Sequence, residues 1–243
     1  MEARQVNAGN GWTWITDGYK LFRSSPVIWI ALFLIYILLS MTLSFIPVLG
    51  PILLNLLAPV FMAGFMLGCK AIEKGEELEI NHLFAGFKQH TADLITVGGI
   101  YLTGIIFTVG IVYAMTGSAA LLGESPQYDA ANPAENSKLL LPMLMALVAI
   151  LPMVMAYWFA PALVIFHDAK PVDAMKQSFH ACQRNMMPFL VYGLSSMALI
   201  VLSMLPFGLG LLIMIPTITA SLYTSYKDIF NPLAVTEADM EAS

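Results

Sequence analysis

Charged residues are scarce in this chain of 243 amino acids. Asp, Glu, Lys and Arg make up 11% of the residues, against roughly 25% in a typical soluble domain, and 58% are hydrophobic. Because so few charges cannot cover the surface of a soluble protein of this size, the composition predicts an integral membrane protein. The net charge of −5 comes partly from a polar loop and an acidic tail. No pattern typical of nucleic-acid binding is present, so nucleic acid is not an expected partner.

The sequence motifs of common enzymes are also missing. There is no Gly-x-Ser-x-Gly element, no His-Glu-x-x-His element, no phosphate-binding glycine loop and no dinucleotide fingerprint. Nucleophilic, metal-dependent and nucleotide-driven catalysis therefore lack their minimum parts. We expect no catalytic residues and no cofactor, and we predict that the protein is not an enzyme.

Cysteine is nearly absent, with Cys69 and Cys182 the two examples. Both fall on the side assigned below to the cytoplasm, where thiols stay reduced, so no disulfide is expected. The segment His180-Ala181-Cys182 does not match the ligand spacing of zinc sites. The sixteen methionines are scattered through apolar segments, which is typical of packing residues. No metal site is predicted.

The apolar stretches contain no carboxylate, histidine or basic side chain in their interiors. Ion-coupled transporters usually hold such a group within the bilayer, so the sequence argues against a proton- or sodium-coupled mechanism. Asn55 is the one strongly polar side chain well inside a predicted span. We expect it to form a hydrogen bond between helices, and its alternative role is to line a vestibule.

Six apolar stretches are present, and each can span a hydrocarbon core about 30 Å thick as a helix. They run over 27–46, 52–71, 94–115, 139–166, 189–205 and 209–223. If the N-terminus is cytoplasmic, ten of the eleven basic residues lie inside and Lys138 alone lies outside. The sequence therefore predicts an all-α integral membrane fold with six transmembrane helices and both termini in the cytoplasm.

One pattern occurs three times along the chain and predicts a pseudo-threefold repeat. Each unit begins with a short segment that has an apolar stripe at helical spacing and ends in a basic residue, which predicts an amphipathic helix lying in the membrane interface. The basic residues are Arg23, Lys88 and Arg184. The predicted units are 1–75, 76–169 and 170–230. The middle unit carries an irregular outer loop over 116–138, and 231–243 form a cytoplasmic tail.

A proline follows an apolar residue in the second predicted span of every unit, at Pro59, Pro161 and Pro216. A proline repeated in this way favours a structural kink in each second helix, and a substrate site formed by the freed carbonyls is the alternative. Gly64 and Gly68 form a Gly-x-x-x-Gly element that permits close approach of another helix, either within the protein or from a partner.

Four short segments carry a resemblance to known proteins. They are Gly11-Trp12-Thr13-Trp14, Gly18-Tyr19-Lys20-Leu21-Phe22, Ile46-Pro47-Val48-Leu49-Gly50-Pro51 and His82-Leu83-Phe84-Ala85-Gly86-Phe87. Over nearly its full length the chain resembles an uncharacterised family of bacterial six-helix inner-membrane proteins. That family is distantly similar to the membrane domain of glycerophosphoryl diester phosphodiesterases. The resemblance implies the fold and a location in the bacterial inner membrane, and it implies no reaction because no phosphodiesterase domain is present.

The sequence thus favours a non-enzymatic accessory, scaffold or assembly protein that is associated with membrane lipids or with another integral membrane complex. Arg23, Lys88 and Arg184 would contact anionic lipid headgroups. The alternative is a carrier or channel for a neutral or lipid-like solute, held among the kinked helices. An opening flanked by Asn55 and the three prolines would favour the carrier, and a core closed by Leu, Met and Phe side chains would favour the accessory protein.

Overall fold

The structure is a computed structural model that describes residues 3–116 and 133–230, and regular structure within these ranges is entirely helical. Helices suit long apolar segments in lipid because a helix satisfies its own backbone hydrogen bonds where no water is available. In chain order the helices are α1 (Asn10–Ser24), α2 (Pro26–Ser44), α3 (Leu49–Glu73), a 3₁₀ helix (Ile80–Phe87), α4 (Thr91–Thr116), α5 (Pro133–Trp158), α6 (Ala160–His167), α7 (Pro171–Arg184), α8 (Met186–Met204) and α9 (Leu211–Phe230).

Five segments of the described chain are long and apolar enough to cross a membrane, and they match the first five predicted spans. They are Pro26–Ser44, Leu49–Glu73, Thr91–Ala114, Met143–His167 and Met186–Met204. The sixth predicted span, now part of α9, is not among them, because its Thr, Ser and Tyr residues and the pair Lys227-Asp228 lower its mean hydropathy. The protein is therefore a helical membrane protein with at least five candidate spans, and the sixth span stays a prediction.

The predicted outer loop is shorter than expected at its C-terminal end. Helix α5 begins at Pro133, so the prediction of an irregular segment up to residue 138 is wrong for 133–138. Proline at the first helical position and an acidic residue in the first turn are standard helix-start signals that explain the earlier start. Residues 117–132 of the predicted loop and the predicted tail 231–243 lie outside the described residues.

The fourth predicted span is divided at Phe159 into α5 and α6. The hydroxyl of Ser178, in α7, donates to the carbonyl of Met155 at 2.6 Å and accepts from the N–H of Phe159 at 2.9 Å. It therefore stands between the two groups that would form an ordinary helical hydrogen bond, and a side chain inserted in this way is a known cause of a kink. Pro161 follows in the first turn of α6.

Three short helices each pack against one long helix, and one of these pairs, α1 with α9, joins opposite ends of the described chain. Helix α1 packs mainly on α9, the 3₁₀ helix mainly on α3, and α7 mainly on α5. Backbones come very close at these contacts. A Cβ added at Gly18 would lie 2.7 Å from the Thr217 carbonyl oxygen, and one added at Gly86 would lie 2.1 Å from that of Val60. The absence of side chains at these positions allows the short helices to enter the core.

The core lies where the short helices meet the proline-containing halves of the long ones. It includes Trp14, Phe61, Phe65, Phe159 and Phe230, all at most 6% exposed. Away from this end, the outer faces of α2, α5 and α8 expose large apolar side chains such as those of Leu38, Leu147 and Met197. Continuous apolar surface of this kind suits helices that face lipid.

Candidate functional site

The three basic residues predicted to bind lipid headgroups are all exposed. Arg23 lies in the last turn of α1, Lys88 caps the 3₁₀ helix, and Arg184 ends α7. We call these three residues the basic collar. The Arg184 guanidinium donates to the backbone carbonyl of Ala3 at 3.3 Å. Each collar residue stands at a helix C-terminus, where a cation also stabilises the helix dipole.

The opposite faces of the same helices are buried and fix their orientation. Helix α1 buries Trp14 and Phe22, the 3₁₀ helix buries Leu83, and α7 buries Ala174 and Ala181. Because the apolar faces are part of the core, the collar residues are presented by rigid elements and not by loops.

The three predicted kink prolines are buried in packed surroundings. Pro59 lies inside α3 and Pro216 inside α9, and Pro161 opens α6. Pro59 has no N–H and cannot donate to the carbonyl of Asn55. Helix α4 lies against this carbonyl, because a Cβ added at Gly98 would be 2.8 Å from the Asn55 carbonyl oxygen. The freed carbonyl therefore faces a neighbouring helix.

The remaining predicted residues also lie within the helix packing. The amide of Asn55 donates to the carbonyl of Pro51 in its own helix at 2.9 Å, and not across helices as expected. Asn55 lines neither the pocket nor the groove described below. A Cβ added at Gly64 would lie 2.6 Å from backbone carbonyls of the 3₁₀ helix, and one at Gly68 would lie 2.7 Å from the Leu78 side chain. The Gly-x-x-x-Gly element is thus used for packing within the chain.

The ends of α3, α6 and α9 meet at a polar pocket of about 220 Å³, which we call the convergence pocket. Its lining residues are Lys70, Glu73, Lys74, Phe166, His167, Tyr223, Tyr226 and Lys227. Glu73 holds two helices together: its carboxylate accepts from the Tyr223 hydroxyl at 2.8 Å and pairs with the Lys227 ammonium. The Tyr226 hydroxyl and the Nε2 atom of His167 share a hydrogen bond of 2.7 Å.

A large apolar groove runs between α5 and α8, with a volume of about 710 Å³; we call it the lateral groove. Methionines form much of its wall: Met155, Met186, Met187 and Met197. Two polar atoms within this wall, the indole nitrogen of Trp158 and the hydroxyl of Ser196, are buried and have no hydrogen-bond partner among the described residues. A methionine-rich surface of this kind adapts to apolar molecules of different shapes.

A partly buried charged group fixes the N-terminal segment to α9. The carboxylate of Asp228 accepts from the Asn10 amide at 2.7 Å and the Trp14 indole N–H at 2.8 Å, and it also pairs with Arg4. Its side chain is 13% exposed. Hydrogen bonds to a charged group are about twice as strong as those between neutral groups. This cluster therefore fastens the chain's beginning to its last described helix.

Residues 13–241 match the model of a family described as a domain of unknown function, DUF7847. The chain belongs to this family. It is also 32% identical over 246 residues to a Burkholderia thailandensis protein named "probable inner membrane protein", an alignment that covers 93% of this chain and 91% of the relative. No solved structure matches.

The name of this relative and the five apolar helices agree with the predicted membrane location of this DUF7847 protein. Neither comparison points to glycerophosphoryl diester phosphodiesterases, so that part of the resemblance stays a prediction. Within the part of this DUF7847 chain that the structure describes, no three His, Cys, Asp or Glu side chains are grouped as metal ligands.

Sequence reasoning missed the residues that form the convergence pocket and the Asp228 cluster. Lys70, Lys74 and Lys227 enter the sequence analysis only as basic residues that orient the helices, and Asp228 is one residue of the third predicted unit, 170–230. The partners lie far apart in the sequence: Tyr223 is 150 positions after Glu73, and Asp228 is 218 positions after Asn10. One local signal was available, since Lys70, Glu73 and Lys74 share one face of a helix end in this DUF7847 protein.

Proposed function

We propose that this protein is a non-enzymatic accessory or scaffold protein of the bacterial inner membrane that binds anionic lipid through the basic collar. The observation that carries the proposal is the placement of Arg23, Lys88 and Arg184, each exposed at the end of a helix whose opposite face is buried. A basic residue near an anionic membrane surface contributes about 1 kcal/mol of binding free energy. Three such residues on rigid elements would retain lipid around the protein or at its contact with another membrane complex.

Close packing around the kink prolines supports an accessory role. Helix α4 closes over the carbonyl that Pro59 frees, and the break before Pro161 is filled by Ser178. Side chains such as Phe61, Met66 and Leu163 are at most 6% exposed around these prolines. A packed centre of this kind favours a structural role of the kinks over a substrate site.

The proposed topology has six spans, with both termini in the cytoplasm. Helix α9 would be the sixth span. Its 20 residues give a length of about 30 Å, which equals the hydrocarbon thickness. The distribution of basic residues supports this orientation, because only Lys138 would lie on the outer side.

The three-unit organisation is part of the same proposal and has two supports. The short helix that begins each unit packs mainly on the second long helix of another unit. The 3₁₀ helix of the second unit packs on α3 of the first, and α7 of the third unit packs on α5 of the second. Helix α1 of the first unit packs on α9 of the third, which completes the cycle. The turns that join α2 to α3 and α8 to α9 also share a conformation, since the residue after the turn proline has positive φ in both, 64° at Val48 and 54° at Phe207.

The collar is tested by replacing Arg23, Lys88 and Arg184 with glutamine together. The intact mass of the protein, extracted in mild detergent with its lipids, should show fewer bound phosphatidylglycerol or cardiolipin molecules than the unchanged protein. The control variant, Arg23→Lys, Lys88→Arg and Arg184→Lys, keeps the charges and should keep the lipids. Equal lipid retention in the glutamine variant would reject the collar. A stoichiometric protein partner in the same spectra would establish the accessory role.

The lateral groove favours a second candidate, a carrier for a neutral or lipid-like solute. Its 710 Å³ of apolar space would accept an acyl chain or a similar molecule. Gly193 lines the groove, and a Cβ at this position would meet no atom within 4 Å, so Gly193→Phe should fill the space without displacing the backbone. Loss of a copurifying apolar molecule in this variant, but not in the control Gly110→Phe on α4, would support the carrier.

A further inference from the structure

We infer that the convergence pocket is a binding site for a phosphate-bearing anion, held by Lys70, Lys74 and Lys227. This site is separate from the collar, and the inference does not depend on the proposed function. Its ligand is either the phosphate of a lipid headgroup or a water-soluble phosphate compound. Both present the same charged oxygens to the lysines.

The convergence pocket carries an excess of positive charge. Three lysines line the pocket and one carboxylate, Glu73, opposes them. Both oxygens of that carboxylate are engaged, one by the Tyr223 hydroxyl and the other by Lys227. Within the ranges 3–116 and 133–230, Lys70 and Lys74 form no ion pair, so their charges remain available to an anion.

An aromatic wall holds Lys70 in position. Its ammonium lies 4.9 Å from the centre of the Phe166 ring, which is a cation–π contact. The Phe166 ring in turn stacks on Tyr226 at 5.3 Å between centroids. The hydroxyl of Tyr226 is bonded to His167 at 2.7 Å. This connected wall limits the freedom of the lysine before any ligand arrives, which reduces the entropy cost of binding.

Stabilisation of helix ends is the alternative role for these lysines. Helices α3, α6 and α9 end at the pocket, and each C-terminus carries about half a negative charge that lysines also stabilise. Because three lysines face one carboxylate and three such helix ends, the pocket keeps about half a net positive charge. A role in helix stabilisation alone predicts no anion binding, so an experiment separates the two roles.

The test uses the full chain, purified in a neutral detergent, and the double variant Lys70→Gln, Lys74→Gln. Inorganic phosphate is titrated by calorimetry at constant ionic strength, and phosphatidylglycerol is added in lipid nanodiscs and counted by intact mass. We expect one of these probes to bind the unchanged protein and to bind the double variant about tenfold or more weakly, because the variant removes two charged hydrogen-bond donors from the pocket. The variant Lys70→Arg, Lys74→Arg should keep binding.

Each outcome has one meaning. Phosphate binding that is lost in the glutamine variant identifies a water-soluble ligand, and lipid binding that is lost with no phosphate binding identifies a headgroup. Failure of both probes to bind, or equal binding by the unchanged and the glutamine variant, overturns the inference. The collar variant Arg23→Gln, Lys88→Gln, Arg184→Gln separates the two proposals, because it should keep the pocket ligand while losing peripheral lipid. Unchanged circular dichroism confirms that each variant is folded.

Discussion

The hydroxyl of Ser178 in α7 accepts a hydrogen bond from the backbone N–H of Phe159 at 2.9 Å, at the break between α5 and α6. The same hydroxyl donates to the Met155 carbonyl at 2.6 Å. A side chain therefore replaces one bond of the helix ladder and joins α7 to the kink. The replacement explains how a helix can break inside the packed core without leaving its backbone groups unsatisfied.

Removal of this hydroxyl should destabilise the protein. Ser178→Ala leaves the buried N–H of Phe159 without its partner and leaves the Met155 carbonyl with only the Cys182 thiol as a donor, at 3.5 Å. We expect the free energy of unfolding to fall by about 1–3 kcal/mol. Unfolding by SDS titration in mixed micelles measures the change. The control is Ser24→Ala, whose hydroxyl is exposed and bonds only within its own helix. A loss no larger than that of the control would show that the break does not depend on Ser178.

Because the 3₁₀ helix lies so close to α3, one methyl group added at Gly86 should strongly destabilise the protein. In Gly86→Ala the added carbon would lie 2.1 Å from the backbone oxygen of Val60, so one helix must move. We expect the free energy of unfolding to fall by about 1–3 kcal/mol or more. Gly110→Ala in α4 meets no atom within 4 Å and should be neutral or slightly stabilising. Equal thermal stability of the two variants would contradict this packing.

The Asp228 cluster predicts that the two ends of the described chain are energetically linked. Asp228→Asn removes the charge that Arg4, Asn10 and Trp14 share, and we expect the free energy of unfolding to fall by about 2 kcal/mol. The matched control is Asp17→Asn, which breaks an exposed ion pair with Lys20 at 2.8 Å. It should lower the free energy of unfolding by less than about 1 kcal/mol.

A second measurement on the same variants checks where the loss occurs. Hydrogen exchange of α1 should become faster in Asp228→Asn, because this helix loses its bonds to α9. If exchange became faster only in other helices, the cluster would not hold α1 in place.

The thiol of Cys182 should react slowly despite its place outside the predicted spans. Burial raises its pKa to about 12, although a hydrogen bond with Ser178 opposes the shift. The raised pKa leaves about one thiolate in ten thousand at pH 8, and the side chain is only 5% exposed. Maleimide labelling of the native protein, mapped by peptide mass, should be much slower at Cys182 than at an exposed cysteine introduced by Ser24→Cys.

Denaturation gives the control for this prediction. In SDS the Cys182 thiol is exposed, its pKa should return to the ordinary range, and labelling should reach the rate of the introduced cysteine. Rapid labelling of the native protein would mean that α7 separates easily from α5.

Much of the fold could be predicted from local patterns. Apolar runs of about 20 residues indicated the spans, and the apolar stripes that end in Arg23, Lys88 and Arg184 indicated three short helices, all of which form. The same patterns failed at 133–138, where helix-start signals compete with a polar composition, and at Phe159, where the break is completed by a residue 19 positions away. The candidate site was only half predicted, since the collar is a local feature and the convergence pocket is not.

The sequence by itself determined that this chain is helical, that it belongs in a membrane, and where most of its helices lie, because hydrophobicity and its spacing act over one or two turns of the chain. The tertiary structure alone decided which helices pack together. It placed α1 on α9, joined Glu73 to Tyr223, and buried Asp228 against the N-terminal segment. These contacts depend on shape and hydrogen bonding between surfaces far apart in sequence, and no local pattern encodes which surfaces meet.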